Sequence, residues 1–206
     1  MLNIALPKGR LGESVLKRFK EAGYVFPELE DGDRRLVIPS ENGNASFFLV
    51  KPTDVPVYVE YGVADVGVAG KDVLIESGAD VYELIDLGLG KCRLAVAAKN
   101  DFRDDQDRLL RVATKYPNVS KAYFSGLNRD IEIVTLNGSI ELAPILGLTD
   151  VIVDIVETGK TLKENGLSVI NDVVNISARL IANKAASKFK QAEVSALVKA
   201  LGEVIK

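Results

Sequence analysis

Short apolar runs alternate along this chain with segments whose apolar positions recur every three or four residues. The runs predict strands buried on both faces, and the recurring positions predict amphipathic helices. Strands are predicted at 2–6, 45–49, 66–68, 82–87, 93–98, 111–114, 131–136 and 151–156, with two further runs in 167–181 that separate near 171–172. Helices are predicted at 11–23, 53–62, 71–77, 117–127, 140–146 and 184–205. Strands that alternate with helices in this way indicate an α/β protein.

The segment Gly88–Gly90 predicts a crossing point between two lobes, because the glycines on both sides of Leu89 give the backbone freedom there. We therefore expect two α/β lobes with a cleft between them. The first lobe should contain residues 1–89 plus 177–206, and the second lobe residues 90–176. Open α/β sheets bind ligands at the carboxyl ends of their strands, and the polar motifs of this chain fall at such ends.

The most informative stretch is Val151–Leu162, with the sequence VIVDIVETGKTL. It predicts a buried parallel strand that ends in a turn and opens a helix. The turn Thr158–Thr161 offers successive backbone N–H groups, two hydroxyls and the Lys160 ammonium, which together suit a phosphate. The carboxylates of Asp154 and Glu157 suit sugar hydroxyls or a metal carried by the ligand. A loop that binds both groups indicates a phosphorylated ribose.

Alternatives to this interpretation start from the same residues. The run 159–161 (GKT) ends like a P-loop, but that motif requires glycine where Asp154 stands, so an ATPase site is excluded. The plainer alternative is an ordinary strand–turn–helix in which Thr158 caps the helix and Gly159 eases the turn. The loop also resembles the one with which phosphoribosyltransferases bind phosphoribosyl pyrophosphate. Many of those enzymes carry two adjacent acids, whereas this chain has Val153 before Asp154.

Cations follow two of the predicted strands of the first lobe. Lys8 and Arg10 flank a glycine directly after the first strand, at the start of a helix, and this arrangement suits a polyphosphate. Lys51 follows the second strand and is a candidate phosphate clamp. The alternative for all three is a basic side chain in solvent, with Pro52 and Pro56 shaping the helix start beside Lys51.

Further candidate ligand contacts lie at other strand ends. Asp72, at the start of the helix 71–77, either contacts the ligand or caps the helix. Thr114 and Tyr116 end a strand of the second lobe, where Tyr116 either stacks on a base or packs in the core. Glu141, in the first turn of the predicted helix 140–146, either faces the sugar or compensates the helix dipole.

Composition narrows the chemistry. The chain has no histidine and one cysteine, Cys92, which excludes Ser-His-Asp and Cys-His catalysis, the usual zinc ligand sets and an internal disulfide framework. The net charge is −3, and no basic run is interleaved with aromatic residues, so we expect no nucleic-acid partner. No apolar stretch approaches the roughly 20 residues that span a membrane, and the N-terminus lacks the apolar region of a signal peptide. We therefore expect a cytoplasmic protein without a membrane partner.

Six blocks of sequence carry a resemblance to a known family. They are ALPKGRL (5–11), KPTDVP (51–56), GVADVGVAGKDVL (62–74), LGLGKCRLAVA (87–97), ATKYPN (113–118) and GSIELAPILGLTDVIVDIVETGKTL (138–162). In this order they resemble ATP phosphoribosyltransferase in its short form, the first enzyme of histidine biosynthesis, over nearly the whole chain. One departure is Lys51, where most relatives should carry arginine, and lysine lacks the planar fork with which arginine recognises pyrophosphate in a bidentate way.

The resemblance implies the two-lobed fold of type II periplasmic binding proteins, with ATP and phosphate groups on the first lobe and phosphoribosyl pyrophosphate on the second. It implies that N1 of the adenine of ATP attacks the anomeric carbon of phosphoribosyl pyrophosphate. Pyrophosphate then leaves with Mg²⁺, a metal that the protein alone does not hold. We assign the 5-phosphate to Thr158, Gly159, Lys160 and Thr161, the ribose hydroxyls to Asp154 and Glu157, and catalytic contacts with the phosphates of ATP or pyrophosphate to Lys8, Arg10 and Lys51.

The resemblance also implies partners. It implies a separate regulatory subunit resembling a histidyl-tRNA synthetase, in place of an effector domain for which a chain of this length leaves no residues. We also expect the chain to form at least a homodimer. A hypothesis from another class is a non-catalytic cytoplasmic ligand-sensing module with the same two-lobed fold. The TGKT loop together with Asp154 favours the enzyme.

Overall fold

The computed structural model describes residues 1–27 and 35–205, and the chain divides into two compact units. The first unit contains residues 1–90 and 177–206, and the second unit contains residues 91–176. Each unit has its own sheet and its own core. Across the described ranges, no helix combines the length and the apolar character needed to cross a bilayer.

The secondary structure alternates as the sequence pattern predicts. The strands are β1 (Leu2–Pro7), β2 (Ile38–Pro39), β3 (Ala45–Val50), β4 (Val66–Gly70), β5 (Tyr82–Asp86), β6 (Cys92–Lys99), β7 (Leu110–Thr114), β8 (Ile131–Thr135), β9 (Val151–Val156), β10 (Leu167–Ile176) and β11 (Ala178–Ala182). The helices are α1 (Arg10–Glu21), α2 (Val55–Glu60), α3 (Lys71–Ser77), α4 (Pro117–Gly126), α5 (Leu142–Ile145), α6 (Lys160–Glu164), α7 (Lys184–Phe189) and α8 (Gln191–Val204). A 3₁₀ turn spans Pro52–Asp54 ahead of α2.

The sheet of the first unit has the strand order β2-β3-β1-β4-β11-β5. Strand β1 is parallel to both β3 and β4, whereas β11 is antiparallel to β4 and β5. Helices α1 and α8 bury apolar side chains, among them Phe19 and Leu197, in one core with Ile4 of β1. Because β3, β1 and β4 run in the same direction, the residues that follow these strands lie at the same edge of the sheet.

The sheet of the second unit has the strand order β10-β6-β9-β7-β8. Strand β9 is parallel to β7 and antiparallel to β6, so the prediction of a parallel strand at 151–156 holds on one side only. Successive β9 side chains point to opposite faces, and each face has its own buried cluster. Val153 packs with Leu94 and Val112 on one face, and Ile152 packs with Leu162 on the other.

Two predictions about where secondary-structure elements are interrupted are wrong. The predicted helix 184–205 is broken at Lys190, which has φ −119° and ψ 35° and lies between α7 and α8. Its Nζ donates to the Asp65 carboxylate at 2.7 Å and to the Met1 carbonyl at 3.2 Å, which ties the start of α8 to the beginning of β1. The break predicted near 171–172 lies inside β10, where the register shifts on either side, and the strand ends instead before Ser177.

Two predicted helices are shorter than their patterns suggest. Within 140–146 only α5 is helical, and a turn precedes it. The helix predicted from 53 begins as the 3₁₀ turn and becomes α-helical in α2, with proline near the start of each segment. Strand β2 was not predicted, because a two-residue strand carries no periodicity.

Candidate functional site

A pocket of about 240 Å³ lies at the carboxyl end of β9 in the second unit. Ala95 and Ala97 of β6, Ile152 of β9 and the segment 154–162 line it, together with Glu141. In the antiparallel ladder Ala95 pairs with Asp154 and Ala97 pairs with Ile152, so these side chains share one face of the sheet. The two short alanines leave room on that face, and the loop after β9 lines the rest of the pocket.

The loop after β9 offers backbone donors to this pocket. Gly159 has φ +73°, a left-handed conformation that a side chain would strain. Among the described residues, no acceptor satisfies the backbone N–H groups of Thr158, Gly159 and Thr161. The Thr158 hydroxyl accepts the Lys160 N–H at 3.4 Å, a long hydrogen bond. The loop therefore presents N–H groups and hydroxyls that an anion can use.

Helix α6 contributes less to this site than the sequence pattern predicts. It has five residues, and its N-cap is Gly159 rather than Thr158. A helix this short has a small macrodipole, so the anion-binding capacity rests on the loop N–H groups, the Thr161 hydroxyl and the Lys160 ammonium. Lys160 is exposed and lies 3.7 Å from the Glu164 carboxylate, a solvated pair that adds little to stability.

Asp154 and its neighbours supply the negative charge of the pocket. Burial raises the pKa of the Asp154 carboxyl above its ordinary value, and the nearby Glu141 carboxylate raises it further. The Ile155 N–H donates to Asp154 Oδ1 at 2.8 Å, and Lys115 lies close enough to act in the opposite direction on this pKa. Glu157 lines the same pocket and is exposed. The pocket therefore brings together three of the predicted acidic residues, Asp154, Glu157 and Glu141.

Thr114 and Tyr116 lie behind the site, inside the second unit. The Thr114 side chain is fully buried, and its hydroxyl donates to the Val153 carbonyl at 2.7 Å and accepts from the Tyr116 N–H at 2.8 Å. Tyr116 is 6% exposed and belongs to the core cluster with Phe124. Of the two alternatives for Tyr116, the structure therefore shows packing in the core, and the ring is not exposed for a base to stack on it. Thr114 holds the end of β7 against β9.

The three predicted cations of the first unit follow adjacent strand ends. Pro7 pairs with Val50 at the end of the parallel β1–β3 ladder, so Lys8 and Lys51 occupy the next positions on neighbouring strands. The Lys8 N–H donates to the Val50 carbonyl at 2.8 Å, which extends this pairing. Arg10 begins α1, and all three side chains are exposed. The pairing of β1 with β3 thus brings together two motifs that are far apart in sequence.

Two glycines shape this edge of the first unit. A side chain at Gly12 would come within 1.9 Å of the Pro7 carbonyl, so glycine is required for α1 to approach β1. At Gly70, a β-carbon would come within 2.2 Å of Asp72 Oδ1, so the Asp72 carboxylate folds back over the end of β4. Asp72 is 8% exposed and lies in the first turn of α3, whose N-cap is Gly70. This predicted site residue is therefore mostly buried beside the cation-bearing strand ends.

The sequence interpretation missed the contribution of β6. Ala95 and Ala97 lie inside an ordinary apolar run, and only their pairing with β9 shows that they line the pocket. It also missed Ser139, which has φ +49° and stands two residues before Glu141. The sequence of that turn, Gly138-Ser139, marks a loop without showing which residue is left-handed.

Solved structures define the class of fold. The periplasmic aliphatic sulphonate binding protein SsuA from Escherichia coli matches with a TM-score of 0.63 and 15% identity, over 99% of this chain and 72% of that chain. At that identity the likeness concerns the fold alone, and it confirms the predicted α/β fold of the periplasmic-binding-protein type. Fold and site together define an α/β protein of this type with a loop of unpartnered backbone N–H groups beside clustered carboxylates.

The chain belongs to the ATP phosphoribosyltransferase family, whose sequence profile matches residues 51–203. An ATP phosphoribosyltransferase of Brachyspira hyodysenteriae is 55% identical over 206 residues, which cover 100% of both chains. The ATP phosphoribosyl transferase (HisG:HisZ) complex from Thermotoga maritima contains a chain that matches with a TM-score of 0.87 and 36% identity, over 100% of this chain and 98% of that one. The family predicted from the six sequence blocks is confirmed, and the sensing-module alternative is not favoured.

Proposed function

We propose that this chain transfers the 5-phosphoribosyl group of phosphoribosyl pyrophosphate to N1 of the adenine of ATP, and releases pyrophosphate. This reaction is the first step of histidine biosynthesis. The observation that carries the proposal is the pocket at the end of β9, where unpartnered loop N–H groups lie beside the Asp154 carboxylate. Those two kinds of group match the two parts of a phosphorylated ribose.

The 5-phosphate is assigned to the loop after β9. The N–H groups of Thr158, Gly159 and Thr161, the two threonine hydroxyls and the Lys160 ammonium can donate to phosphate oxygens. Hydrogen bonds to a charged partner contribute roughly 1.5–3 kcal/mol each. Several such bonds would hold the phosphoribosyl group while its anomeric carbon reacts.

The ribose hydroxyls are assigned to Asp154 and Glu157, with Glu141 facing the same sugar. An ionised carboxylate accepts hydrogen bonds from hydroxyls and cannot hold a phosphate. The position of Asp154 opposite Ala95 gives the sugar space on that face of the sheet. Carboxylates beside the ribose also favour the positive charge that develops on the ring as pyrophosphate departs.

The reaction does not need a strong general base, since adenine N1 already carries a lone pair. The N1–C1′ bond forms as the bond from C1′ to pyrophosphate breaks, with inversion, and the product is N1-(5-phosphoribosyl)-ATP. Positioning of the reactants and stabilisation of the leaving group can supply most of the rate enhancement. A chain without histidine is chemically adequate for this reaction.

The phosphates of ATP and the leaving pyrophosphate are assigned to Lys8, Arg10 and Lys51 of the first unit. Their positions after the paired ends of β1 and β3 concentrate positive charge, and none of the three has an ion-pair partner within the described residues. Lysine at position 51 acts as a point charge rather than a bidentate clamp. Asp72 remains a proposed contact at the neighbouring end of β4.

Mg²⁺ is the metal proposed to accompany pyrophosphate. Within the described residues no group of three or more acidic or cysteine side chains could hold a metal ion. The residues fit a metal that keeps phosphate oxygens and waters as most of its ligands, with one or two carboxylates such as Glu141 or Asp154 nearby. When bound, Mg²⁺ would neutralise charge on the departing pyrophosphate.

The proposed assembly is a catalytic subunit, at least dimeric, that works with a separate regulatory subunit resembling a histidyl-tRNA synthetase. The similarity to a chain of the Thermotoga maritima HisG:HisZ complex supports this proposal. Histidine should then inhibit through that partner, because allostery requires a second site whose ligand shifts the first. The cytoplasm is the proposed location.

The central test is pyrophosphate release from the chain mixed with ATP, phosphoribosyl pyrophosphate and Mg²⁺. Release should require all three, and mass spectrometry should identify phosphoribosyl-ATP as the product. Binding of both ligands without turnover, in the presence and absence of the regulatory subunit, would favour the sensing module. Strong histidine inhibition of the isolated chain would contradict the division of roles between subunits.

A further inference from the structure

Ser139 has a backbone conformation that its side chain does not favour. Its φ is +49°, and only one other non-glycine residue within 1–27 and 35–205, Asn128 with φ +52°, is left-handed. Asparagine tolerates this region comparatively well, whereas other L-residues pay a conformational penalty there. Such strain persists only where the surrounding structure enforces it, and it is often found at functional sites.

The Ser139 side chain has no contact that would explain this conformation. The residue is exposed, and none of the described residues forms a hydrogen bond with its hydroxyl. Its carbonyl accepts the Leu142 N–H at 3.1 Å, so its backbone is part of the turn that leads into α5. The left-handed conformation therefore sets the direction of the backbone in this turn and is not explained by a contact of the serine side chain.

The two residues after Ser139 show where that path leads. Ile140 is 2% exposed and belongs to the core cluster that contains Ile152 and Leu162, both of which also line the pocket. Glu141 follows immediately, lines the same pocket, and acts electrostatically on Asp154. With Ile140 fixed in the core, the left-handed turn determines on which side the Glu141 carboxylate emerges.

We propose that Ser139 is a positioning residue of the transferase site, whose left-handed backbone directs Glu141 into the pocket that binds the phosphoribosyl group. This inference rests on the proposed function of that pocket. Ser139 is not among the residues that line the pocket, and in this proposal it acts through Glu141, which lines it. A residue with this role should affect the binding of phosphoribosyl pyrophosphate but not the binding of ATP, which is assigned to the first unit.

The test uses two valine substitutions and one glycine substitution in the full chain, assayed with the regulatory subunit. Ser139→Val places a β-branched residue at positive φ and should raise KM for phosphoribosyl pyrophosphate about tenfold, since small misplacements of site groups are costly. KM for ATP should be unchanged. Ser139→Gly, in which glycine adopts the left-handed conformation without strain, should have the same KM as the wild type. Asn128→Val is the matched control, because it strains the other left-handed position, whose residue is not among those that line the pocket.

A double-mutant comparison shows whether Glu141 transmits the effect. In a Glu141→Gln background, Ser139→Val should change KM by less than about twofold, because the group it would misplace has already been altered. An undiminished effect in that background would overturn the inference. So would an Asn128→Val variant with the same rise in KM, or a glycine variant as impaired as the valine variant.

One further variant and one further measurement keep the outcomes separate. Should Ser139→Val fail to fold, Ser139→Ala replaces it in the same comparisons. The Kd for phosphoribosyl pyrophosphate, measured by calorimetry, should follow the same pattern as KM. Wild-type protein that binds this ligand but releases no pyrophosphate contradicts the proposed function, whereas the pattern of Kd values among the variants still decides the role of Ser139.

Discussion

Asp154 lies directly opposite Ala95 in the antiparallel pairing of β6 with β9. Opposed residues in such a ladder project to the same face, and Ala95 is fully buried there. The short alanine leaves space for the carboxylate and for a ligand beside it, but it offers no hydrogen bond. The carboxylate is therefore only partly solvated, which raises its pKa. The second unit holds this charge at a cost in stability that a ligand with hydroxyl groups would offset.

Asp154→Asn should stabilise the free protein while impairing its activity. The folded pKa of Asp154 is raised, so folding disfavours the ionised form. Below the ordinary carboxyl pKa, Asp154 is protonated in both the folded and the unfolded protein, so it costs the wild type no stability. As pH rises from there through the folded pKa, the wild type loses stability relative to the variant. Thermal denaturation at several pH values should show an advantage of the variant that is small in acid and largest at neutral pH.

Asp150→Asn provides the control with the opposite sign. Hydrogen bonds from Arg111, including one of 2.7 Å, lower the pKa of Asp150. Its contribution to stability is present above the ordinary carboxyl pKa and is lost as pH falls through the folded pKa. This variant should therefore be less stable than the wild type at neutral pH and equal to it in strong acid. An Asp154→Asn variant with the same pH profile as Asp150→Asn would contradict the account of Asp154.

Ala95→Val should reduce the affinity for phosphoribosyl pyrophosphate because it fills the pocket opposite Asp154. Ala98→Val is the matched control: Ala98 is equally buried on β6 but belongs to the cluster on the opposite face. Overpacking should cost each variant about 1–3 kcal/mol of stability. Only Ala95→Val should raise KM for phosphoribosyl pyrophosphate. Equal KM values for the two variants would show that Ala95 does not limit the space for the ligand.

The local parts of the site could be predicted from the sequence. Asp154 interrupts an otherwise apolar strand, and the turn that follows contains Gly159, so the strand, the loop and its chemistry are visible within one segment. The structure places Asp154, Glu157 and the loop in one pocket. Strand β9 matches its predicted bounds because its apolar run is bounded by a polar turn on each side.

The non-local parts could not be predicted in the same way. The adjacency of Lys8 and Lys51 depends on which strands pair, and the apolar pattern of β1 does not specify β3 as its neighbour. Tyr116 has an amphipathic side chain that suits a ligand or a core equally well, and only the packing of the second unit buries it. The break at Lys190 likewise depends on a long-range contact with Asp65, which a helical pattern cannot show.

Thr161→Val should remove most activity without affecting the fold. Thr161 is exposed, and valine keeps its shape while removing the hydroxyl assigned to the 5-phosphate. One lost hydrogen bond to a charged group costs roughly 1.5–3 kcal/mol, which corresponds to about a 10- to 150-fold loss in kcat/KM for phosphoribosyl pyrophosphate. Steady-state kinetics and thermal denaturation measured on the same preparation test both halves of this prediction.

Thr149→Val is the control for that substitution. The Thr149 hydroxyl is buried, and no described residue provides it with a hydrogen-bond partner. Replacing it with a methyl group should leave the kinetics unchanged and should not reduce stability. If Thr161→Val leaves the affinity for phosphoribosyl pyrophosphate unchanged, as Thr149→Val should, then the assignment of the 5-phosphate to this loop is wrong.

Arg10→Ala should weaken ATP binding and leave stability unchanged or slightly improved. Arg10 is exposed at the first position of α1, where a positive charge opposes the helix dipole by roughly 0.3–1 kcal/mol. Neither packing nor helix stability therefore accounts for an arginine at this position, whereas binding of a phosphate would account for it.

Lys17→Ala removes an exposed cation from the same helix, away from the strand ends, and controls for net charge. Calorimetric titration with ATP should show a loss of about tenfold or more for Arg10→Ala alone. A lowered melting temperature with normal ATP affinity would instead give Arg10 a structural role.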